Sequence, residues 1–311
     1  MKLLPKINYL QIFQFIIQHG SIRAAAVALN QTQPALSRAM NELEKMLGAP
    51  LMVRGTRGVV LTEAGKLFVP RMQFALKELE RAVNEVGHIS YSSHGMVAVG
   101  SSSLPSFTML PAAIQKFQRR FSQVNIHLAE GHLPEMLESV RTGTLDFAIG
   151  ATLTENMGRE FITEPFFTMP FCVLARRGHP LAESTSLKKL RKAKWYLPSS
   201  TMGYYHQLGE IIFPHGQENA SIVRGNTAVM AVQMVLSAGY LTIAPQEILQ
   251  VPYLKEHLCC IPIAESLPDA AYSFIYSQHL PLTTVARNLM YELRKECENY
   301  PWSLSDAYAS Y

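Results

Sequence analysis

The segment from Gly20 to Arg38 constrains this chain more than any other, because it spells two short helices meeting at a polar turn. Ser21 is a good helix N-cap, Ala24, Ala25 and Ala26 give a smooth helix surface, and Leu29 closes that helix before Asn30, Gln31 and Thr32. Thr32 then caps a second helix, with Pro34 in its first turn, where a missing N–H costs nothing. Its apolar residues Ala35, Leu36, Ala39, Met40, Leu43 and Leu47 recur at helical spacing and must pack inward. Gln33, Ser37 and Arg38 are left on the other side. Short polar hydrogen-bonders and one arginine near a helix start suit the major groove, where such groups reach base edges and phosphates. Upstream, Ile12, Phe13, Phe15, Ile16 and Ile17 supply a third helix able to cover the apolar stripe.

After Gly48, Pro50 to Thr62 gives two short β-prone runs around a glycine-flanked basic turn, the pattern of a hairpin wing. Arg54 and Arg57 at its tip have no acidic neighbour in sequence, so a phosphate or minor-groove contact is their natural use. With Ser21, Arg23, Thr32 and Pro34 beside Gln33, Ser37, Arg38 and the two wing arginines, the candidate DNA-contacting set is complete. Charge is placed accordingly. Residues 1–61 hold seven basic against two acidic side chains, a net of +5 within a whole-chain +4, so the remainder is slightly acidic.

From Thr62 a long helix is expected to run to about Val86, with Ala64, Leu67, Phe68, Met72, Ala75, Leu76, Leu79, Val83 and Val86 on one stripe. A stripe of that length exceeds what a small domain covers and points to pairing between two copies of the chain. Pro70 removes one intrahelical bond. His88 to Gly95 is a short hinge, after which strands and helices alternate. Strands are expected at Met96–Ser101, Val124–Glu130, Asp146–Gly150, Phe171–Arg176, Ser221–Arg224, Leu241–Ala244 and Ala271–Tyr276. The intervening helices give a parallel α/β arrangement.

These motifs carry a family resemblance. The run G-S-I-R-A-A-A-x-A-L-N-Q-T-Q-P-A-L-S-R from Gly20, E-L-E from Glu42, G-A-P-L from Gly48 and R-x-x-R-G-x-x-L-T-E-A-G from Arg54 resemble LysR-type transcriptional regulators. Met52 stands where that family usually has phenylalanine, another apolar side chain. Within the family the chain is most similar to the regulators of threonine degradation and of aminobenzoyl-glutamate utilisation, through L-D-F-A-I-G at Leu145 and M-G-Y-Y at Met202. The resemblance implies a winged helix-turn-helix over 1–62, a dimerising linker helix over 63–89 and a hinge over 90–95. It also implies a two-lobed α/β effector domain over 96–311, like a periplasmic binding protein. Lobe I then takes about 96–163 and 268–311, and lobe II about 164–267.

Ligands in open α/β sheets lie beyond strand C-terminal ends, where helix N-termini present free N–H groups. Ser102 and Ser103, Ser200 and Thr201, and Thr227 occupy three such junctions, and Tyr204 adds an aromatic wall with a polar tip. Hydroxyls and amides suit a carboxylate but not several phosphates. Serine-rich junctions are also ordinary caps. His132, Arg176, Arg177 and His179 could add positive charge, but nothing in the sequence aims them at a cleft, and exposed loop positions are expected for them.

The chain has no G-x-S-x-G elbow, no H-E-x-x-H helix, no P-loop and no dinucleotide-binding glycine fingerprint, so no enzyme is expected. A transport or storage binding protein would explain the second half but not the DNA reader. Cys172, Cys259, Cys260 and Cys297 have neither zinc nor disulfide spacing, and buried thiols are expected, with a thiol-based redox-responsive regulator as the alternative. No metal or cofactor is called for. The N-terminus lacks a secretory signal and no apolar run reaches the roughly 20 residues of a membrane span, which implies a cytoplasmic protein. The expected partners are double-stranded DNA, a small-molecule effector, and further copies of the chain as a homodimer or homotetramer. RNA polymerase is allowed as another and a membrane is not.

Overall fold

The computed structural model describes residues 4–55, 58–90, 94–152, 157–199, 204–214 and 221–303, with the side chains of 54, 81, 84–90 and 94 outside the description. The expected tip residue Arg57, the effector candidates Ser200 and Thr201, and residues 91–93 of the expected hinge therefore lie outside the described residues. The chain divides into two compact units, Met1–Val86 and Gly87–Tyr311.

In the first unit α1 (Ile7–His19), α2 (Ile22–Ala28) and α3 (Gln33–Leu47) precede β1 (Met52–Gly55), β2 (Gly58–Leu61) and α4 (Glu63–Ser90). Local chemistry sets each boundary. Gly20 and Gly48 terminate α1 and α3 in the left-handed conformation, φ 70° and 74°, and Asn30 adopts φ 51° in the turn between α2 and α3. Ser21 accepts the Ala24 N–H at 3.1 Å and Thr32 accepts that of Ala35 at 3.4 Å, so both caps are made. Phe13, Ile16, Ala25, Leu36, Met40, Leu43 and Leu51 close one core.

The first turns of α4 also enter that core through Ala64, Phe68, Met72 and Leu76, so half of the stripe expected to meet a second copy is satisfied within its own unit. Leu67, Ala75, Leu79 and Val83, spaced at multiples of four along α4, stay exposed. Among the described residues no helix is long and apolar enough to cross a membrane.

The second unit begins with β3 (His94–Ser101), α5 (Ser103–Phe107), α6 (Leu110–Arg120), β4 (Gln123–Glu130), α7 (Leu133–Arg141), β5 (Phe147–Thr152) and β6 (Phe161–Met169). Then come β7 (Phe171–Arg176), α8 (Leu187–Leu190), β8 (Lys194–Pro198), α9 (Tyr204–Ile212), β9 (Ser221–Gly225), α10 (Ala228–Ala238) and β10 (Thr242–Pro245). The unit finishes with α11 (Pro252–Lys255), β11 (Leu258–Cys260), β12 (Ala270–Ser277) and α12 (Thr284–Asn299).

A five-stranded sheet in the order β4-β3-β5-β12-β6 forms the first lobe, with β4, β3 and β5 parallel and the returning β12 antiparallel to both neighbours. Alternation along β3 sorts the two faces. Val97 and Val99 join Phe117, Phe147 and Leu289 on one side, and Ala98 meets Met136 and Val140 of α7 on the other. The sequence pattern did not reveal β6, because Pro165 and the register shift opposite Tyr272/Ser273 break its alternation; Pro is tolerated there because β6 is an edge strand.

In the second lobe, β8 and β9 pair in parallel as a helix crossover requires, and Trp195, fully buried, donates its indole N–H to the Leu190 carbonyl at 2.9 Å. The expected parallel theme extends beyond this pair only as one parallel bridge, Trp195 with Leu241, at the entry to β10. β7 is flanked by β10 and β11, both antiparallel. It is entered from β6 through Pro170 alone, without the helix crossover that a parallel pair needs.

Candidate functional site

α3 presents its first turn to solvent. Gln33, Pro34 and Arg38 are exposed and Ser37 is half-exposed, while Leu36, Ala39, Met40 and Leu43 hold the opposite face in the core. Arg23 is exposed on α2. The hydroxyls of Ser21 and Thr32 are engaged as caps, which leaves their remaining lone pairs and, for Thr32, an exposed position.

The wing is an antiparallel pair, Met52 opposite Leu61 and Gly55 opposite Gly58, and Met52 is half-buried against the core. Gly58 has φ 126°, and a Cβ there would lie 2.5 Å from the Gly20 carbonyl oxygen, which also accepts the Val59 N–H at 2.9 Å. The wing is thus tied to the corner that precedes α2.

Glu44 ties the wing to α3. Its Oε1 accepts the Leu51 N–H at 2.7 Å and the Met52 N–H at 3.2 Å. Leu51 is buried, so removing the carboxylate orphans a backbone donor that water does not reach. Glu44→Ala is expected to cost the first unit about 2 kcal/mol, read by chemical denaturation, and Glu44→Gln to recover most of it through its amide oxygen. Equal losses in both variants would disprove this account.

In the second unit, the C-terminal ends of β3 and β4 face those of β8 and β9 across a cleft with about 720 Å³ of empty space, part of it open to solvent. The structure brings Ser102, Ser103 and Thr227 to this cleft. Their states differ. Ser102 holds the N-cap position of α5, yet its hydroxyl makes no cap bond and has no hydrogen-bond partner among the described residues, although the residue is 7% exposed. Thr227 does cap, accepting the Met230 N–H at 3.4 Å.

Tyr196, from the apolar run Trp195-Tyr196-Leu197 of β8, also lines the cleft. It is 3% exposed, and its hydroxyl lies beside the Thr227 amide without a hydrogen bond of normal geometry. Burial pushes this phenol up, so it remains a neutral donor near pH 7. A buried hydroxyl left unpaired is costly, and Ser102 and Tyr196, two residues that line this cleft, each carry one just beneath its surface.

Tyr204 corrects the sequence expectation. It is buried, its hydroxyl donates to the Pro268 carbonyl, and its ring packs edge-on against Phe171 at 4.7 Å, so it belongs to the lobe core. The next residue on α9, Tyr205, lines the cleft instead.

His132 is the second correction: rather than standing on an exposed loop, it lines the cleft between the lobes. Its ring meets Tyr205 edge-on at 5.3 Å and lies beside the Gly225 backbone. Burial holds it below the ordinary histidine range despite Glu135 and Glu130 nearby. Arg176, Arg177 and His179 do not line the cleft; Arg177 donates to the Lys255 carbonyl and His179 pairs with that of Gly239.

The cysteines form no disulfide. Cys172 and Cys297 are buried, and Cys259 and Cys260 are half-buried. A hydrogen bond to Cys260 and burial raise the Cys172 thiol well above its ordinary range.

Sequence comparison gives the arrangement its context. Residues 7–66 match the family model of the bacterial regulatory helix-turn-helix protein, lysR family, and residues 92–298 match that of the LysR substrate binding domain. The HTH-type transcriptional regulator TdcA of Escherichia coli is 34% identical over 298 residues, covering 96% of this chain and 95% of that protein. GalR of Pseudomonas putida is 32% identical over 190 residues, 61% of this chain and 48% of that one.

Among solved structures, CbnR, a LysR family transcriptional regulator, superposes with a TM-score of 0.68 at 17% identity, covering 94% of this chain and 99% of that chain. ArgP from Mycobacterium tuberculosis gives 0.70 at 14% identity, covering 95% and 98%. These two likenesses bear on the fold alone. Two family models that span both units, together with TdcA along nearly the whole length, place the chain: it belongs to the LysR family of DNA-binding transcriptional regulators.

Proposed function

We propose that the first turn of α3 reads base edges, that the wing grips the backbone, and that the interlobe cleft senses a small organic carboxylate which resets DNA binding without any catalytic step. The orphaned Ser102 and Tyr196 hydroxyls in that cleft are the observation that carries the effector half. Two uncharged donors orient one carboxylate but do not neutralise several phosphates. The exposed stripe Leu67, Ala75, Leu79 and Val83 supports a homodimer through α4, which would set two recognition helices on a two-fold axis. A complex of full-length CbnR with its target DNA supports the same use of this fold.

As mechanism, an effector that binds one closure of the two lobes better than the other shifts the equilibrium by its difference in affinity. That shift changes the spacing of paired recognition helices. The expected division of 1–62, 63–89, 90–95 and 96–311 into reader, linker, hinge and sensor fits this sequence of events.

The test is a mobility-shift titration on the DNA upstream of its own gene, with and without small carboxylates and amino acids, over a range of salt. Affinity should fall steeply with salt. Arg38→Ala should weaken binding to all sequences and reduce the salt slope by about one, whereas Gln33→Ala should cost about 1–3 kcal/mol at one base position and relax preference there. A salt-independent shift, or equal effects of the two variants on every sequence, would refute the reading.

A further inference from the structure

The cleft has an electrostatic character that a plain carboxylate does not satisfy. Among the described residues lining it, Glu130 is the one acidic side chain, no lysine or arginine is present, and burial lowers the His132 pKa, disfavouring its cationic form. An anion entering alone would meet a carboxylate without a counter-cation.

The backbone fixes where that carboxylate stands. Glu130 ends β4 directly opposite Ser101 of β3, so Ser102 and Glu130 project from neighbouring strand ends. Glu130 Oε1 accepts the Ala228 N–H at 3.2 Å, the first residue of α10. Glu130 therefore already occupies a helix N-terminus donor that an anionic ligand would otherwise take. Its second oxygen has no hydrogen bond among the described residues. The far wall is apolar, built by Phe107, Leu174, Val235, Ile243 and Ile248.

We propose that the effector carries an ammonium group next to its carboxylate and an apolar tail, as an apolar α-amino acid does, and that Glu130 is the specificity-determining residue that selects it. The carboxylate takes the hydroxyl donors of Ser102 and Tyr196, the ammonium takes the free oxygen of Glu130, and the side chain lies on the apolar wall. Adjacent charges on one carbon match the adjacent strand ends that present Ser102 and Glu130. This assignment rests on the reading of the cleft as the effector site.

The test titrates full-length protein by calorimetry and thermal shift with valine, leucine and phenylalanine. Each is compared with its des-amino acid, isovalerate, isocaproate or hydrocinnamate, and with its decarboxylated amine, isobutylamine, isoamylamine or phenethylamine. At least one amino acid should bind roughly tenfold or more tightly than its des-amino acid, and Glu130→Gln should bring that ratio near one without weakening the des-amino acid. An unaltered melting temperature of unliganded Glu130→Gln serves as the control for folding.

Des-amino acids that bind as tightly as amino acids, a preference that survives Glu130→Gln, or no binding by any of the nine compounds would each overturn the inference. Binding of des-amino acids alone that Ser102→Ala abolishes would do so while leaving the cleft reading intact. Binding that neither Ser102→Ala nor Gly225→Ala disturbs would place the ligand elsewhere and overturn the cleft reading itself.

Discussion

Phe13→Ala should destabilise the first unit by about 3–5 kcal/mol and weaken specific DNA retardation. Phe13 is fully buried among α1, α3 and α4, and its ring stacks on Phe68 at 6.5 Å. Truncation of a buried phenylalanine costs about 3–5 kcal/mol, the lost transfer energy plus the cavity left behind. A unit spanning Met1–Val86 has a total stability of about 4–13 kcal/mol on the usual per-residue scale, so the loss takes a quarter of it at best and all of it at worst.

Val27→Ala is the matched control. Val27 is 78% exposed on α2, and its truncation should change stability by less than about 0.5 kcal/mol. Limited proteolysis within residues 4–86 and mobility shift together read the result. Wild-type protease resistance and DNA affinity in Phe13→Ala would contradict the packing described for this core.

The first unit was legible because its determinants are local. Ser21, Thr32, Gly20 and Gly48 each stop or start a helix within a few residues of themselves, and the stripe from Leu36 to Leu43 has one way to face. The inward use of Phe68, Met72 and Leu76 was not legible. A stripe along α4 shows that a face is covered without showing by what, and here the same chain covers its first turns.

The cleft was legible only as a set of junctions. Ser102, Ser103 and Thr227 were found because strand ends announce themselves, but which serine caps and which stays free depends on backbone geometry that sequence does not carry. Tyr204 and Tyr205 differ by one step of about 100° around α9, and that step decides which meets the core and which the cleft. Tyr196 was hidden in an apolar run that reads as ordinary core. Glu130 and His132 come opposite β9 and α10 through contacts made nearly a hundred residues apart in the chain, and no local pattern encodes such a meeting.

Gly225→Ala should disable the cleft through Tyr196. The glycine's φ is not in the left-handed region, so alanine is tolerated by the backbone and the effect is steric. A Cβ at this position would lie 2.1 Å from the Tyr196 hydroxyl oxygen, 2.9 Å from Cζ and 3.1 Å from Cε2. Tyr196 is 3% exposed and has little room to yield, so overpacking should cost about 1–3 kcal/mol. Loss of the displaced phenol's hydrogen bond should weaken the effector by a further 1 kcal/mol or so.

Because both effects pass through one contact, they must couple. In a Tyr196→Phe background the closest clash is gone, and Gly225→Ala should then destabilise clearly less than in the wild type, a non-additivity measurable in a double-mutant cycle. The effector response should already be weakened in Tyr196→Phe and fall little further when Gly225→Ala is added. Strict additivity of the two substitutions in both stability and effector affinity would show that Gly225 does not position Tyr196, and the second hydroxyl donor of the cleft would have to be sought in another residue.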